Sequence, residues 1–139
     1  MKLSVKSDYA ARAVLTLAKH YVNGRAVRVE DVAGSQGVPA NYLVQILIEL
    51  KSQGIVRSVR GKEGGYMLAR TPAQITLGDV LVAVHGTLFD TPALSDPECP
   101  PELRAAWERL QQAVKSAADG ISFQQLLEEG SEKDKMYYI

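Results

Sequence analysis

The chain has 139 residues, 46% of them hydrophobic, which suits one folded domain with an appendage and excludes a wholly disordered chain. No apolar run reaches the roughly 20 residues that a membrane span needs, and the first residues lack the apolar stretch of a secretion signal, so we expect a cytoplasmic protein. The single cysteine, Cys99, excludes an intramolecular disulfide and a metal site built only from cysteines of one chain.

The formal net charge is zero, but the two halves of the chain carry opposite charges. Residues 1–70 contain eleven Lys and Arg against five Asp and Glu, a net charge of +6, and residues 71–139 contain five against eleven, a net charge of −6. The cationic half indicates a surface that can face a polyanion such as nucleic acid, although a chance division of a mixed surface gives the same count.

The first elements have the spacing of a helix-turn-helix. Ser7 can cap a helix whose apolar residues recur at helical spacing until Asn23-Gly24 ends it. Residues 30–36 then form a short helix that ends at Gly37, and Pro39 suits the first position of the next helix. A short helix, a tight turn and a second helix are typical of a helix-turn-helix.

Two extended runs, residues 55–60 and 65–70, flank a glycine-rich turn of hairpin length. Their side chains alternate between two faces, with Ile55, Arg57 and Val59 together on one of them. A hairpin directly after a helix-turn-helix is a wing. The sequence therefore predicts a mostly helical fold with a small β-hairpin, a winged helix-turn-helix domain with a long dimerisation helix.

The second half of the chain is predicted to be helical around one long loop. Thr76 begins a capping box that opens a helix, a proline-rich loop follows, and a second capping box at Ser122 opens a helix that ends at Glu129. We divide the chain into a winged helix-turn-helix domain over residues 1–86, a loop over 87–101, dimerisation and C-terminal helices over 102–129, and a flexible tail over 130–139.

The second helix of a helix-turn-helix enters the major groove of DNA, with its N-terminal residues nearest the base edges. Asn41 and Gln45 can each form paired hydrogen bonds with adenine, and Val44 offers an apolar surface to a thymine methyl group. The alternative is that the two amides simply face water. The predicted major-groove residues are Pro39, Ala40, Asn41, Tyr42, Val44 and Gln45.

The predicted wing carries its own candidates for DNA contact. Arg60 lies beside Gly61 at the tip, where a slender arginine on a glycine turn can enter the narrow, strongly negative minor groove. Arg57 and Lys62 are candidates for phosphate contact, and Ser58 can donate a hydrogen bond to a phosphate oxygen. The glycines also permit a hairpin whatever its function, and both interpretations can hold together.

The long helix over residues 102–118 has an apolar stripe that includes Leu103, Trp107, Leu110 and Val114. A palindromic DNA site requires two copies of a small reading domain. We therefore expect these four residues at a helix-to-helix dimer interface, with Trp107 either there or in the core.

A resemblance to a known family rests on five segments: MKLS from Met1, YAARA from Tyr9, VPANYLVQIL from Val38, SVRGKEGGYMLAR from Ser58 and ITLGDV from Ile75. These segments resemble those of the Rrf2 family of winged-helix regulators. The resemblance covers the predicted winged domain and fits the Trp107 helix more loosely. It implies a homodimeric transcription regulator, usually a repressor, that binds partly palindromic double-stranded DNA.

The sequence departs from the family where a signal is sensed. Cluster-binding members carry three cysteines in the loop before the long helix, whereas this loop contains only Cys99, beside acidic residues that disfavour its thiolate. Asp8 stands where some nitric-oxide-sensing members place a cluster ligand. We expect no iron–sulfur cluster, as in the members that respond through a regulatory protein or a thiol. The alternative is a cluster held by Cys99 and non-thiol ligands across a dimer.

The sequence contains no arrangement of residues that indicates an enzyme. No Ser/His/Asp set or pair of carboxylates has active-site spacing, and the glycines of the hairpin lack the Lys-Ser/Thr of a phosphate loop. A protein-interaction adaptor that uses the acidic half remains a second class of function, and it predicts no salt-dependent binding to DNA.

Overall fold

The computed structural model describes residues 2–137, with side chains through residue 133. This part of the chain is mostly helical with one antiparallel hairpin, which confirms the predicted fold class. In chain order the elements are α1 (Val5–Tyr21), α2 (Val29–Gln36), α3 (Ala40–Ser52), β1 (Val56–Val59), β2 (Gly65–Leu68), α4 (Leu77–His85), α5 (Pro101–Asp119) and α6 (Phe123–Tyr137).

One hydrophobic core holds the winged domain together, and α1 runs through its middle. Leu17 of α1 and Leu43 and Leu47 of α3 are at most 1% exposed. Burial of each such side chain stabilises the fold by about 1.5–3 kcal/mol. These side chains lie at helical spacing within their elements, which is why the pattern of apolar residues located both helices correctly.

The chain returns to this core after α5. Phe123, the first residue of α6, is fully buried in the same cluster as the α1 and α3 leucines. Its backbone N–H donates to the Ile75 carbonyl at 3.0 Å, and Ser122 forms an isolated bridge with Thr76. α6 therefore packs against the core of the winged domain, a contact that the predicted domain boundary at residue 86 does not include.

Two helix ends differ from the prediction. The cap of α1 is Ser4, whose side chain accepts from the backbone N–H of Ser7 at 3.3 Å, while Ser7 itself is buried inside the first turn. Both serines are competent caps, and the earlier one gives the helix an additional turn. α6 continues to Tyr137 instead of ending at Glu129, because Gly130 costs only about 1 kcal/mol within a run of good helix formers.

Both predicted capping boxes are confirmed. Thr76 and Asp79 exchange side-chain and backbone hydrogen bonds of 3.0 and 3.1 Å at the start of α4, and Ser122 and Gln125 do the same at the start of α6. The predicted loop is irregular apart from one short 3-10 turn over Pro92–Ser95.

Candidate nucleic-acid interface

The turn between α2 and α3 has the geometry of a helix-turn-helix. Gly37 adopts a left-handed conformation, with φ 66° and ψ 33°, and its N–H closes α2 on the Ala33 carbonyl. A side chain is strained in this conformation, which explains why glycine occupies the position. Pro39 lies immediately before α3 rather than at its first helical position, one residue from the prediction.

The outer face of α3 presents the predicted reading residues. Its buried side is formed by leucines and Ile46, while all six predicted residues, from Pro39 through Gln45, have exposed side chains. Val44 and Gln45 lie three and four positions after Asn41, and each therefore neighbours Asn41 on the same side of the helix. Ile48 extends this face and is 49% exposed.

Contacts with α1 hold the exposed helix in place. The Tyr42 ring packs edge-on against Tyr9 with their centroids 5.7 Å apart, although Tyr42 remains 42% exposed. Further along α3, Glu49 accepts a hydrogen bond from Lys6 Nζ at 2.6 Å. Tyr42 therefore has a packing role in the protein beside its predicted contact with DNA.

The hairpin is a two-stranded sheet in which Val56 pairs with Leu68 and Val59 with Gly65. Burial does not alternate along the first strand. Ile55 and Val56 are both buried, because the hairpin enters the core at its base, where neighbouring residues are covered from both sides. Toward the tip the side chains become exposed, and the exposed residues include Arg57, Ser58, Arg60, Gly61 and Lys62.

A third extended segment lies against β2. Val27 forms an isolated antiparallel bridge with Tyr66, and the two residues exchange two backbone hydrogen bonds of 2.8 and 2.9 Å. Gly65, beside this bridge, has φ 152°, and a Cβ there would lie 2.6 Å from the Val27 carbonyl carbon and 2.9 Å from the Arg28 nitrogen. Gly65 therefore permits the close approach of two backbones, a role that a turn argument does not reveal.

The structure brings additional cations to the wing. Arg25, Arg28, Arg57 and Lys62 line a groove of about 570 Å³ between the hairpin and the segment before α2, with Asp31 and Glu63 also in its wall. Arg25 and Arg28 contribute to the positive charge of residues 1–70, but the sequence alone does not show that they lie beside the hairpin. They lie 31 and 28 positions before Val56, where the hairpin begins, so only the tertiary fold shows their position.

Ser58 already has a partner within the protein. Its hydroxyl accepts a hydrogen bond from Lys51 Nζ at 3.0 Å, which links the end of α3 to β1. Lys51 is a further cation that the sequence did not assign to this surface. The hydroxyl proton of Ser58 stays available, so its donation to a phosphate remains a prediction.

The residues considered for an iron–sulfur cluster do not form a site within one chain. Asp8 forms an ion pair with Arg12 at 2.9 Å, and Cys99 is 8% exposed with its sulfur 3.7 Å from the Pro100 carbonyl oxygen. Across the described residues, no three His, Cys, Asp or Glu side chains lie close enough to hold a metal ion. One thiolate and an ion-paired carboxylate do not fit a cluster that thiolates normally hold.

The apolar stripe of the long helix α5 is only partly covered within the chain. Trp107 stacks on Phe89 of the preceding loop, with ring centroids 6.1 Å apart, and Gln111 Nε2 donates to the Phe89 carbonyl at 3.0 Å. On the same stripe Leu103 and Leu110 are each 44% exposed, while Val114 is half-buried. Near the end of α5, a hydrogen bond from Lys115 to the Asp119 carboxylate raises the pKa of Lys115.

The described helices include none that is long and apolar enough to cross a membrane.

In a comparison with family models, residues 3–129 match the Rrf2 family, described as an iron-dependent transcriptional regulator. The match therefore includes α5 and the first half of α6 as well as the winged domain.

Individual relatives agree with this match. The regulator CymR of Bacillus subtilis is 32% identical over 141 residues, covering 100% of both chains. The regulator IscR of Aliivibrio salmonicida is 35% identical over 131 residues, covering 91% of this chain and 77% of the relative. Among solved structures, IscR of T. potens superposes with a TM-score of 0.79 at 31% identity, covering 99% of this chain and 97% of that one.

Proposed function

The chain belongs to the Rrf2 family of transcriptional regulators, and from this premise we propose that it is a homodimeric repressor that binds a partly palindromic DNA site without an iron–sulfur cluster. The exposed face of α3 reads bases in the major groove, and the hairpin reaches the adjacent minor groove with Arg60. Such a regulator acts on the chromosome, so we assign it to the cytoplasm.

The observation that carries this proposal is the exposure of polar α3 residues beside a cationic hairpin. Asn41 and Gln45 supply donors and acceptors, and Lys51 joins α3 to β1 so that the helix and the hairpin form one surface. Arg57 and Lys62 add positive charge at the edge of that surface, where phosphates of a bound duplex lie.

The apolar stripe of α5 supports pairing of two copies. Apolar residues of a two-helix seam recur at alternating spacings of three and four positions. Five residues of α5 follow this spacing: Leu103, Ala106, Leu110, Ala113 and Ala117. In an antiparallel pair centred on Leu110, this residue meets its own copy. Leu103 at one end of the seam then meets Ala117 at the other end, so that a large side chain faces a small one. Trp107 and Val114 remain predicted residues of this interface, and Trp107 also stacks on Phe89 of the same chain.

Selection of duplexes from a random DNA library tests the DNA-binding function. We expect enrichment of an inverted repeat, and we refer to the selected duplex as the operator. The logarithm of the association constant should fall linearly with the logarithm of salt concentration, with a slope of about 0.9 for each phosphate neutralised. Recovery of unrelated sequences, or binding that salt does not weaken, would favour the adaptor class of function.

The absence of a cluster is tested separately. Protein purified without oxygen should be colourless and contain less than about one iron and one sulfide per dimer, because each chain offers only one thiolate for ligation. Visible absorption together with stoichiometric iron and sulfide would instead establish the second candidate, a cluster-dependent sensor that uses Cys99 with ligands from both chains. This second candidate is tested because the chain is similar to IscR proteins.

A further inference from the structure

The residue before α2 is poorly suited to its position. Arg28 occupies the N-cap, where a short side-chain acceptor normally binds a free N–H of the first turn, and its side chain forms no such bond. A guanidinium has only donors, and its positive charge at the N-terminus of a helix opposes the helix dipole. Local preference within α2 therefore does not account for arginine at this position.

The guanidinium instead contacts the tip of the hairpin. Arg28 Nη2 donates to the backbone carbonyl of Lys62 at 2.8 Å, across 34 positions of sequence. The turn itself is closed by one backbone bond, from the Gly64 N–H to the Gly61 carbonyl at 3.0 Å. The hydrogen bond of Arg28 is thus a direct link between the hairpin tip and the body of the domain.

The link to Lys62 complements the backbone bridge beside it. Val27 is hydrogen-bonded to Tyr66 of β2, which lies below the tip. Arg28, the next residue, is hydrogen-bonded to the tip itself. Together with the bond from Lys51 to Ser58 on the other strand, these attachments at different heights restrict the motion of the hairpin about its base, and among them the Arg28 bond holds the tip. The tip carries Arg60, whose entry into a narrow groove depends on the direction in which the hairpin points.

We propose that Arg28 is a positioning residue that holds the hairpin tip in its DNA-binding orientation before DNA arrives. This inference deepens the proposed function and rests on it for its effect on affinity. A tip ordered in advance loses less conformational entropy on binding, so affinity rises without an additional contact with DNA. Arg28 itself is exposed, and direct contact with a phosphate is the competing explanation for any loss of affinity on its replacement.

The test compares Arg28→Ser with Arg25→Ser. Serine at position 28 removes the link to Lys62 but restores a competent helix cap, so the melting temperature should be equal to or higher than that of the parent protein. Arg25 lines the same groove, and its replacement removes the same charge without removing the link. Arg28→Lys keeps a donor at the position and should recover part of the order of the tip.

The deciding readout is backbone ¹⁵N relaxation of the DNA-free protein. We expect the order parameters of residues 61–63 to fall from about 0.8 to below about 0.6 in Arg28→Ser and to remain unchanged in Arg25→Ser. Affinity for the selected operator should fall about tenfold more in Arg28→Ser than in Arg25→Ser.

Unchanged order at the tip in Arg28→Ser would overturn the inference, even if DNA affinity fell, because a phosphate contact alone would then explain the loss. An equal loss of order in both variants would also overturn it. Since the relaxation measurement requires no DNA, failure of the parent protein to bind any duplex would contradict the proposed function and leave the positioning role of Arg28 separately measurable.

Discussion

Replacement of Arg60 by alanine should lower affinity for the selected operator by about 1–3 kcal/mol for each hairpin, or roughly 5- to 150-fold per wing. Arg60 is exposed next to Gly61, whose φ of 109° turns the chain back at the tip. The exposed side chain is therefore carried at the tip of the hairpin. In the proposed complex the guanidinium enters the minor groove, where the potential of the duplex is most negative, and alanine removes this attraction.

Two further variants separate the shape of Arg60 from its charge. Arg60→Lys keeps the charge but loses the planar group, and we expect an intermediate affinity. Arg109→Ala removes an exposed arginine from α5, far along the chain from the hairpin, and should leave affinity within about twofold of the parent. Electrophoretic mobility shift at several salt concentrations measures all three. Binding of Arg60→Ala equal to that of the parent protein would refute the assignment of the wing.

Replacement of Leu110 by glutamate should separate the dimer and lower operator affinity by about 10²- to 10⁴-fold. Leu110 lies in the middle of the α5 stripe, and in the proposed antiparallel pair a two-fold axis brings it against its own copy. Two carboxylates buried against each other cost far more than the apolar contact they replace. A single chain then binds one half-site only and loses the gain in affinity that linked binding of two half-sites provides.

Ala105→Glu is the matched control for this substitution. It introduces the same side chain on the same helix, at an exposed position on the side opposite the stripe, and should leave the protein dimeric. Sedimentation velocity reports the mass of each variant, and circular dichroism checks that the helices remain. Since Leu110 is 44% exposed in the single chain, the monomer should keep its fold. A dimeric Leu110→Glu protein with normal DNA affinity would show that α5 is not the interface.

Features that depend on neighbouring residues were predictable from the sequence. The capping boxes at Thr76 and Ser122 each involve residues three positions apart, and Gly37 marks the end of a helix by its own conformational freedom. The buried leucines of α3 follow helical spacing, so the exposed face of the predicted reading helix followed from the same pattern. The local chemistry of turns and caps therefore located the helix-turn-helix and the hairpin.

Features that depend on distant residues were not predictable. The return of Phe123 to the core, the approach of Val27 to Gly65 and the bond from Arg28 to Lys62 join segments at least 34 residues apart. Each is decided by tertiary packing, which overrides local signals. The N-cap of α1 was predicted at Ser7 instead of Ser4 for a different reason. The two serines are chemically equivalent candidates, and only burial distinguishes them.

In the proposed complex, two copies of the chain present an α3 helix and a hairpin tip to one duplex. Footprinting of the parent protein on its selected operator, with hydroxyl radicals for the minor groove and guanine methylation for the major groove, measures this most directly. We predict two protected major-groove segments separated by a whole number of helical turns of about 10 base pairs, each with a protected minor groove beside it. A single unpaired segment, or protection of the backbone with no guanine protected in the major groove, would contradict the account.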